Sequence, residues 1–329
     1  MEARDASGGL AAPRSHTRVR AAATQPMRAR TFLRREVPLD RGRKVAGLLL
    51  VAPALLLVLV FFLVPLGTTA WMSLHNWPLM GEPHWVGWAN YERAFGDARF
   101  LRALAFTLWY TLAATVLIFV AAFPLALFVD RPGRATAAYR TALFLPVVVG
   151  LASASLLWAW LVNVDAGLLS PALLRLGLIE EPLNVLSDTS QVFVAILVLV
   201  LWKTVGFTMI LLLTGIQSVP ADLHEAAMID GATRWRRFRG ITLPLIRRTL
   251  ALALILSVTG SVLAFDQFYI VSGGGPRNST LTAVYWVFSQ SFVSFKLGYG
   301  AALSMILLAI LAAVSALQLW VLRERGGEP

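Results

Sequence analysis

The stretch EAAMIDGATRWRRFRGITLP, residues 225–244, contains four arginines in a chain of which only 14% is charged. Residues in and just before it are typical of short helices. Pro220 suits a first helical turn, Gly231 can end a helix in the left-handed conformation, and Thr233 can cap a second helix. Long apolar runs flank the stretch on both sides. The pattern therefore predicts a pair of short helices between two hydrophobic segments.

The composition of the whole chain indicates a membrane protein. Of its 329 residues 57% are hydrophobic, and the mean hydropathy is +0.69. A soluble domain would be about a quarter charged, so lipid is the predicted main solvent. The absence of cysteine excludes disulfides, cysteine-ligated metals and thiol nucleophiles. Four histidines spread along the chain give no metal motif, and we expect neither a metal nor another cofactor.

Six apolar runs are long enough to cross a bilayer, which takes about 20 residues. They occupy residues 46–66, 107–128, 142–162, 192–216, 250–271 and 299–322. The third contains Pro146 and Gly150, which membrane helices tolerate where neighbouring helices satisfy the backbone. The predicted fold class is therefore all-α, a polytopic membrane protein with six transmembrane helices. The runs show no inverted pair of broken helices, which weakens the case for a secondary transporter.

The distribution of lysine and arginine predicts the orientation. Alternate segments carry 22 of these residues on one side and 6 on the other, with Lys203 inside a span. Cytoplasmic loops are the basic ones, so both termini and the 217–249 loop are expected in the cytoplasm. Topology thus explains the basic pI, and we expect membrane lipid, not nucleic acid, as a partner.

The predicted organisation follows from these spans and loops. A disordered basic tail covers residues 1–45, the first helix 46–66 and an external loop 67–106. A core covers residues 107–322, with the 217–249 loop inside it, and a cytoplasmic C-terminus covers 323–329.

The 217–249 loop resembles the EAA loop of ABC importer permeases. Glu-Ala-Ala is followed at the family spacing by a glycine and by Ile-Thr-Leu-Pro. The matching residues are Glu225, Ala226, Ala227, Asp230, Gly231, Ile241, Leu243 and Pro244. Three stretches resemble the carbohydrate subgroup of this family, the maltose and glycerol-phosphate permeases. They are WVGWANYERAFGDARFLRALAFTLWYT (85–111), LWKTVGFTMILLLTGIQSVPADLHEAAMIDGA (201–232) and FDQFYIVSGGGP (265–276). The chain resembles the first of the two permease partners of that subgroup more than the second. His224 departs from the aromatic expected before the motif.

The resemblance implies a type I ABC importer permease fold and a non-enzymatic transport subunit of a bacterial plasma membrane. In that family the loop couples transport to cytoplasmic ATP-binding subunits. A second permease and an extracytoplasmic solute-binding protein complete the assembly. The sequence has no Gly-Lys-Ser/Thr after its glycine cluster, so we expect no nucleotide site in this chain. The alternative is a secondary transporter or channel that ATP does not drive. The roles of Arg234, Arg236, Arg237 and Arg239 stay open between lipid phosphates, Glu225 and Asp230, and the ATPase.

Three polar residues within apolar spans are candidates for the translocation path. Lys203 lies near the middle of the fourth span, where a charge is costly unless it faces the bundle interior or a wet cavity. The alternative is a structural contact or a snorkelling side chain. Asp266 and Gln267 carry groups that suit sugar hydroxyls, although helix packing explains such residues equally well.

Gly273, Gly274, Gly275 and Pro276 form a predicted external turn. The family resemblance implies that this turn lies on the side where the solute-binding protein docks.

Overall fold

The computed structural model describes residues 41–131 and 133–322. The predicted basic tail lies outside the described residues as far as residue 40, and the predicted C-terminal segment 323–329 lies outside them entirely. The described residues from Leu57 onward form one compact unit, and the described residues before Leu57 belong to another.

The described residues are mostly helical. The helices are α1 (Arg41–Val58), α2 (Val64–Ser73), α3 (Ala89–Gly96), α4 (Ala98–Val129), α5 (Arg134–Val148), α6 (Leu151–Leu161), α7 (Leu169–Arg175), α8 (Thr189–Gln217), α9 (Ala221–Ile229), α10 (Arg234–Arg237), α11 (Leu243–Leu245), α12 (Arg247–Val262), α13 (Ala283–Phe288) and α14 (Leu297–Leu322). Short π-helical segments lie at Leu59–Leu63, Phe238–Thr242, Phe268–Ser272 and Ser289–Val293, and a 3₁₀ turn at Val185–Ser187. A small antiparallel hairpin pairs β1 (His75–Asn76) with β2 (His84–Trp85).

Six membrane crossings result when each bent helix pair is counted as one. Four helices are long and apolar enough to cross alone: Leu48–Ser73, Ala98–Val129, Thr189–Gln217 and Leu297–Val321. Two further crossings are broken pairs, Arg134–Val148 with Leu151–Leu161, bent by 92°, and Arg234–Leu245 with Arg247–Val262, bent by 73°. The number of spans agrees with the prediction from sequence.

The fifth crossing ends earlier than the apolar run that predicts it. Helix α12 stops at Val262, nine residues before the predicted end of the span at residue 271. The Thr282 hydroxyl donates a hydrogen bond at 2.9 Å to the Ala264 carbonyl, which lies beyond the helix end. Satisfying that carbonyl from elsewhere in the fold lets the helix stop inside an apolar sequence.

Local capping residues set where the two longest helices begin. Asp97 accepts hydrogen bonds from the Arg99 and Phe100 amides at the start of α4, at 2.9 and 3.3 Å. Asp188 does the same for the Ser190 and Gln191 amides at the start of α8, at 2.9 and 3.0 Å. Each carboxylate satisfies amides that have no partner within the helix.

Close backbone approach holds the core together. Helix α4 packs against α8 and α12, and α8 packs against α5. A Cβ atom at Gly206 would lie 1.9 Å from the Leu143 carbonyl oxygen, so only glycine allows α8 to approach α5 this closely. Because lipid tails are as apolar as leucine, membrane helices depend on such close packing of small residues rather than on the hydrophobic effect.

Candidate functional site

The 217–249 loop contains a short helix that ends at Gly231. Pro220 occupies the N-cap of α9, one position before the predicted first turn. Gly231 has a φ of +73°, its amide donates to Met228 O at 3.0 Å, and the Ala232 amide donates to Ala227 O at 2.8 Å. This pair of bonds is the Schellman motif that closes a helix through a left-handed residue. The predicted left-handed conformation of Gly231 is therefore confirmed.

The chain then returns to the membrane through the helical segment Arg234–Leu245, which bends by 73° before α12. The Thr233 hydroxyl accepts a hydrogen bond from the Arg236 amide at 3.3 Å, as its predicted capping role requires. The Phe238 ring meets the Phe123 ring of α4 edge to face, with centroids 5.6 Å apart. Ile246 is fully buried against α4 and α8. These contacts tie the loop's second half to two membrane spans.

Helix α9, in contrast, presents its side chains outward. None of its residues is buried, and Ile229, Met228 and Leu223 are 88%, 51% and 44% exposed. Glu225 is also exposed, and within the described residues it forms no ion pair with the loop's arginines. Apart from Ala227, the residues that match the motif thus divide into an exposed group on the short helix and its turn, and a half-buried group at the membrane. The exposed group is Glu225, Ala226, Asp230 and Gly231, and the half-buried group at the membrane is Ile241, Leu243 and Pro244. Ala227 belongs to the short helix and is itself half-buried.

Between the spans lies a cavity of about 200 Å³ whose mainly apolar lining includes several polar side chains. The Gln267 side chain is buried, and its Nε2 donates to the Tyr110 hydroxyl at 3.2 Å. Gln267 Oε1 is also buried and has no hydrogen-bond partner among the described residues. The hydroxyl residues that line the same space are Thr204, Thr208, Ser257 and Ser261. The cavity therefore offers several hydroxyls to a polar solute.

Lys203 lines this cavity and also holds the broken third crossing. Its ammonium donates to the carbonyl oxygens of Val147, at 3.3 Å, and Val149. These carbonyls lie where α5 ends, so the ammonium sits at the negative end of that helix. The charge is thus accounted for by a structural contact at the 92° bend, and by facing the cavity.

The structure brings together only two of the three predicted path residues. Lys203 and Gln267 line one cavity, whereas Asp266 is half-buried and is not among its lining residues. Sequence reasoning missed Tyr110, because nothing local connects it with Gln267, 157 residues further along the chain. The hydroxyl residues did carry a signal, since polar side chains in an apolar span tend to face the protein interior.

The predicted external turn is hydrogen-bonded to the residues that flank it. Gly273 and Gly274 have φ values of +58° and +80°. The Thr280 hydroxyl donates to Gly275 O at 2.6 Å and lies 2.9 Å from the Ser272 hydroxyl. Gly274 is buried, Gly275 and Pro276 are half-buried, and only Gly273 is exposed. We name residues 272–280 the glycine loop.

Asp97 links three elements next to the glycine loop. One carboxylate oxygen accepts from the Tyr299 hydroxyl at 2.7 Å and from Trp286 Nε1 at 3.2 Å, while the other caps α4. Burial alone would raise the pKa of Asp97. The hydrogen bonds from Tyr299, from the Arg99 and Phe100 amides and from Trp286 outweigh that effect, so the pKa lies below its ordinary value.

Comparison with known proteins identifies the nature of the chain. Residues 135–325 match the family described as binding-protein-dependent transport system inner membrane component. The chain is 32% identical to the sulfoquinovosyl glycerol transport system permease protein SmoG of Agrobacterium fabrum, over 87% of this chain and 93% of that protein. It is 34% identical to the sn-glycerol-3-phosphate transport system permease protein UgpA of the same organism, over 86% and 96% of the two chains.

A solved structure shares the fold. A chain of a bacterial ABC transporter involved in the import of the acidic polysaccharide alginate superposes with a TM-score of 0.75, covering 87% of this chain and 97% of that one. At 20% identity the likeness concerns the fold alone. The overall fold is therefore one that a chain of an alginate-importing transporter also has.

Proposed function

This chain belongs to the family of binding-protein-dependent transport system inner membrane components, and from that premise we propose that it is the permease subunit through which an ATP-driven importer moves a carbohydrate or polyol across the membrane. Transport follows alternating access, in which the cavity opens to one side and then to the other. Separate subunits bind and hydrolyse ATP, since this sequence has no P-loop. The alternative of a secondary transporter or channel is not favoured, because the relatives are permease subunits of importers.

The proposed coupling role rests on one observation, the exposure of α9. A helix with Ile229 88% exposed and Met228 51% exposed offers an apolar surface for a partner to cover. The Schellman turn at Gly231 joins this helix to the segment that packs on α4 and α8 through Phe238 and Ile246. A force on α9 thus reaches α4 and α8 through these contacts, and α12 through the chain itself. ATP can bias transport only if the ATPase contacts α9 differently in its two states.

The cavity between α4, α8 and α12 supports a polyhydroxylated substrate. The names of the two relatives specify sulfoquinovosyl glycerol and sn-glycerol-3-phosphate, each of which contains a glycerol unit. The hydroxyl side chains that line the cavity exchange hydrogen bonds with the hydroxyls of such a substrate. A cavity of about 200 Å³ is too small for a sugar chain, so this subunit supplies only part of the path. A second permease subunit supplies the remainder.

The proposed orientation places α9 and both termini in the cytoplasm, because lysine and arginine concentrate on that side. The glycine loop then lies on the outer side, at the end where a solute-binding protein delivers its cargo. Gly273 is the exposed glycine of this loop and the candidate for contact with that protein.

The test replaces Ile229 by Asp in the chain co-expressed with its partner subunits. A buried unpaired carboxylate in the α9 interface is expected to lower ATP-dependent uptake by at least about tenfold, since burying such a charge is costly. Met80→Asp is the matched control, because Met80 is 86% exposed on the hairpin side of the fold. Normal membrane levels, reduced co-purification of the ATPase and reduced uptake for Ile229→Asp alone would support the proposal.

Two results would contradict it. Uptake that persists without ATP and follows an ion gradient would support the alternative that the protein is a secondary transporter. Equal effects of Ile229→Asp and Met80→Asp would remove the special role of α9.

A further inference from the structure

A second cavity, of about 830 Å³, lies between the 217–249 loop and the membrane spans. Leu127 and Arg131 at the end of α4 form one wall, and Ile216 near the end of α8 forms another. His224 of α9 and side chains of the returning segment, Arg237 among them, complete it. The coupling role proposed above does not use this space.

The side chains that face this cavity give it a positive charge. Arg131, Arg234 and Arg237 line it, and among the described residues that line it Asp130 carries the single carboxylate. Within the described part of the chain, none of these three guanidinium groups forms an ion pair or a hydrogen bond. Arg237 Nε is buried and has no hydrogen-bond partner. A buried guanidinium donor without an acceptor favours an anion at this place.

The C-terminal end of α4, whose partial negative charge would repel an anion, is already paired with a cation. Val129 ends α4, and its carbonyl oxygen accepts two hydrogen bonds from Arg140, from Nε at 3.0 Å and from Nη2. The negative end of the α4 dipole is thus compensated by a cation that does not line the cavity. Among the described side chains that line the cavity, three arginines then outweigh one carboxylate, that of Asp130.

The position of the cavity matches the headgroup level of a bilayer. Helix α4 ends there, α8 ends there, and α12 begins a few residues after Thr242, which lines the cavity. Trp235, 68% exposed, stacks on Phe238 with ring centroids 5.6 Å apart, and both line the cavity. Tryptophan is enriched where a membrane meets water. An apolar edge and a basic wall therefore meet at one level, as a lipid with a charged headgroup requires.

We propose that this cavity binds the phosphate of an anionic phospholipid headgroup, held by Arg131, Arg234 and Arg237, and that the bound lipid braces the returning segment of the loop against α4. Lipid binding stands on this geometry alone, whereas its effect on coupled transport rests on the proposed function. The lipid would then set how firmly a movement of α9 is transmitted to the spans.

The test measures lipid binding to the purified full-length chain by native mass spectrometry. The probes are phosphatidylglycerol and phosphatidylcholine with the same acyl chains. One phosphatidylglycerol is expected to bind in preference to phosphatidylcholine. Near a membrane surface each arginine contributes about a fivefold gain in affinity for anionic lipid, so Arg237→Gln should weaken binding about fivefold and the triple glutamine variant about a hundredfold.

Arg236→Gln is the matched control, since Arg236 belongs to the same short helix but does not line the cavity. It should bind phosphatidylglycerol like the unaltered chain. Arg237→Lys keeps the charge but loses the guanidinium group. An affinity between those of the unaltered chain and Arg237→Gln, with unchanged thermal unfolding, would show that the loss concerns lipid recognition and not folding.

Three outcomes would overturn the proposal. Equal binding of the two lipids would exclude headgroup recognition, and equal losses in Arg236→Gln and Arg237→Gln would exclude this cavity. Binding of inorganic phosphate that depends on Arg237, without binding of phosphatidylglycerol, would assign the site to a free anion. Selective lipid binding in a chain that fails to support uptake would contradict the proposed function and leave the lipid site standing.

Discussion

Two loops of this protein use the same backbone conformation in opposite surroundings. Gly231 in the 217–249 loop has a φ of +73°, and a Cβ atom there would meet nothing within 4 Å. Gly274 in the glycine loop has a φ of +80°, and its Cβ would lie 3.3 Å from both Leu281 Cδ1 and Tyr285 Cε1. The first glycine turns a chain in open space, and the second turns it inside a packed structure.

The polar groups of the two loops differ in the same way. In the glycine loop the hydroxyls of Ser272 and Thr280 and the carbonyl of Gly275 are paired with one another. On α9 the side chains are exposed, and Glu225 has no partner among the described residues. A loop that satisfies its own groups is built for stability, whereas exposed apolar and charged groups on a short helix are typical of a surface that a partner covers.

Replacing Gly231 by Val gives the largest expected effect on transport. A β-branched residue in the left-handed region costs on the order of 1–3 kcal/mol, so the Schellman turn should open and change the angle between α9 and the returning segment. ATP-dependent uptake should fall at least about tenfold, since small misplacements are costly in coupled machinery. Because opening of the exposed turn relieves the strain locally and no side chain lies within 4 Å, membrane levels and thermal unfolding should change little.

Gly240→Val provides the matched control for this variant. Gly240 lies in the π-helical segment of the same loop and has no positive φ, and a Cβ atom added there would meet nothing within 4 Å. Uptake should be largely retained. Equal loss in both variants would show that any change in the loop disturbs transport, and the turn at Gly231 would lose its special role.

The contrast between the loops also explains what could be read from the sequence. The left-handed Gly231 was predictable because a Schellman turn depends on neighbouring residues. The spacing of the six crossings was predictable because hydropathy is local. Lys203 could be placed in a polar environment, but its partners are the carbonyls of Val147 and Val149, and backbone atoms leave no pattern in the sequence. The pair of Tyr110 and Gln267 depends on how two distant spans pack.

Gly274→Val is expected to affect stability rather than coupling. It combines left-handed strain with crowding against Leu281 and Tyr285, and each effect costs on the order of 1–3 kcal/mol. The thermal midpoint and the amount of folded protein in the membrane should both fall, and uptake per folded molecule should change little. Gly273→Val has the same kind of φ but nothing within 4 Å, so the difference between the two variants measures crowding alone. A normal midpoint for Gly274→Val would show that the glycine loop is not the packed element described above.

The smallest expected effect is that of the Asp97 carboxylate on thermal stability. Asp97 accepts hydrogen bonds from Tyr299 and from Trp286, a residue of the helix that follows the glycine loop. Its pKa is lowered, so its carboxylate stabilises the folded state fully above the unfolded pKa of about 4. That contribution is lost as the pH falls through the still lower pKa of the folded state. Asp97→Asn should therefore lower the thermal midpoint modestly at pH 7.

The pH dependence distinguishes a role of the charge from a role of side-chain shape. The difference in midpoint between the unaltered chain and Asp97→Asn should be constant from pH 8 to about pH 5 and should shrink below about pH 4, where the carboxylate of the unaltered chain takes up a proton. Thermal unfolding of both proteins in the same detergent across this range measures it. A difference that persists undiminished at about pH 3 would mean that asparagine disturbs the packing of Trp286 and Tyr299 by its geometry. In that case the glycine-loop side would owe its stability to shape complementarity, and the contrast with the exposed, charged α9 would be sharper still.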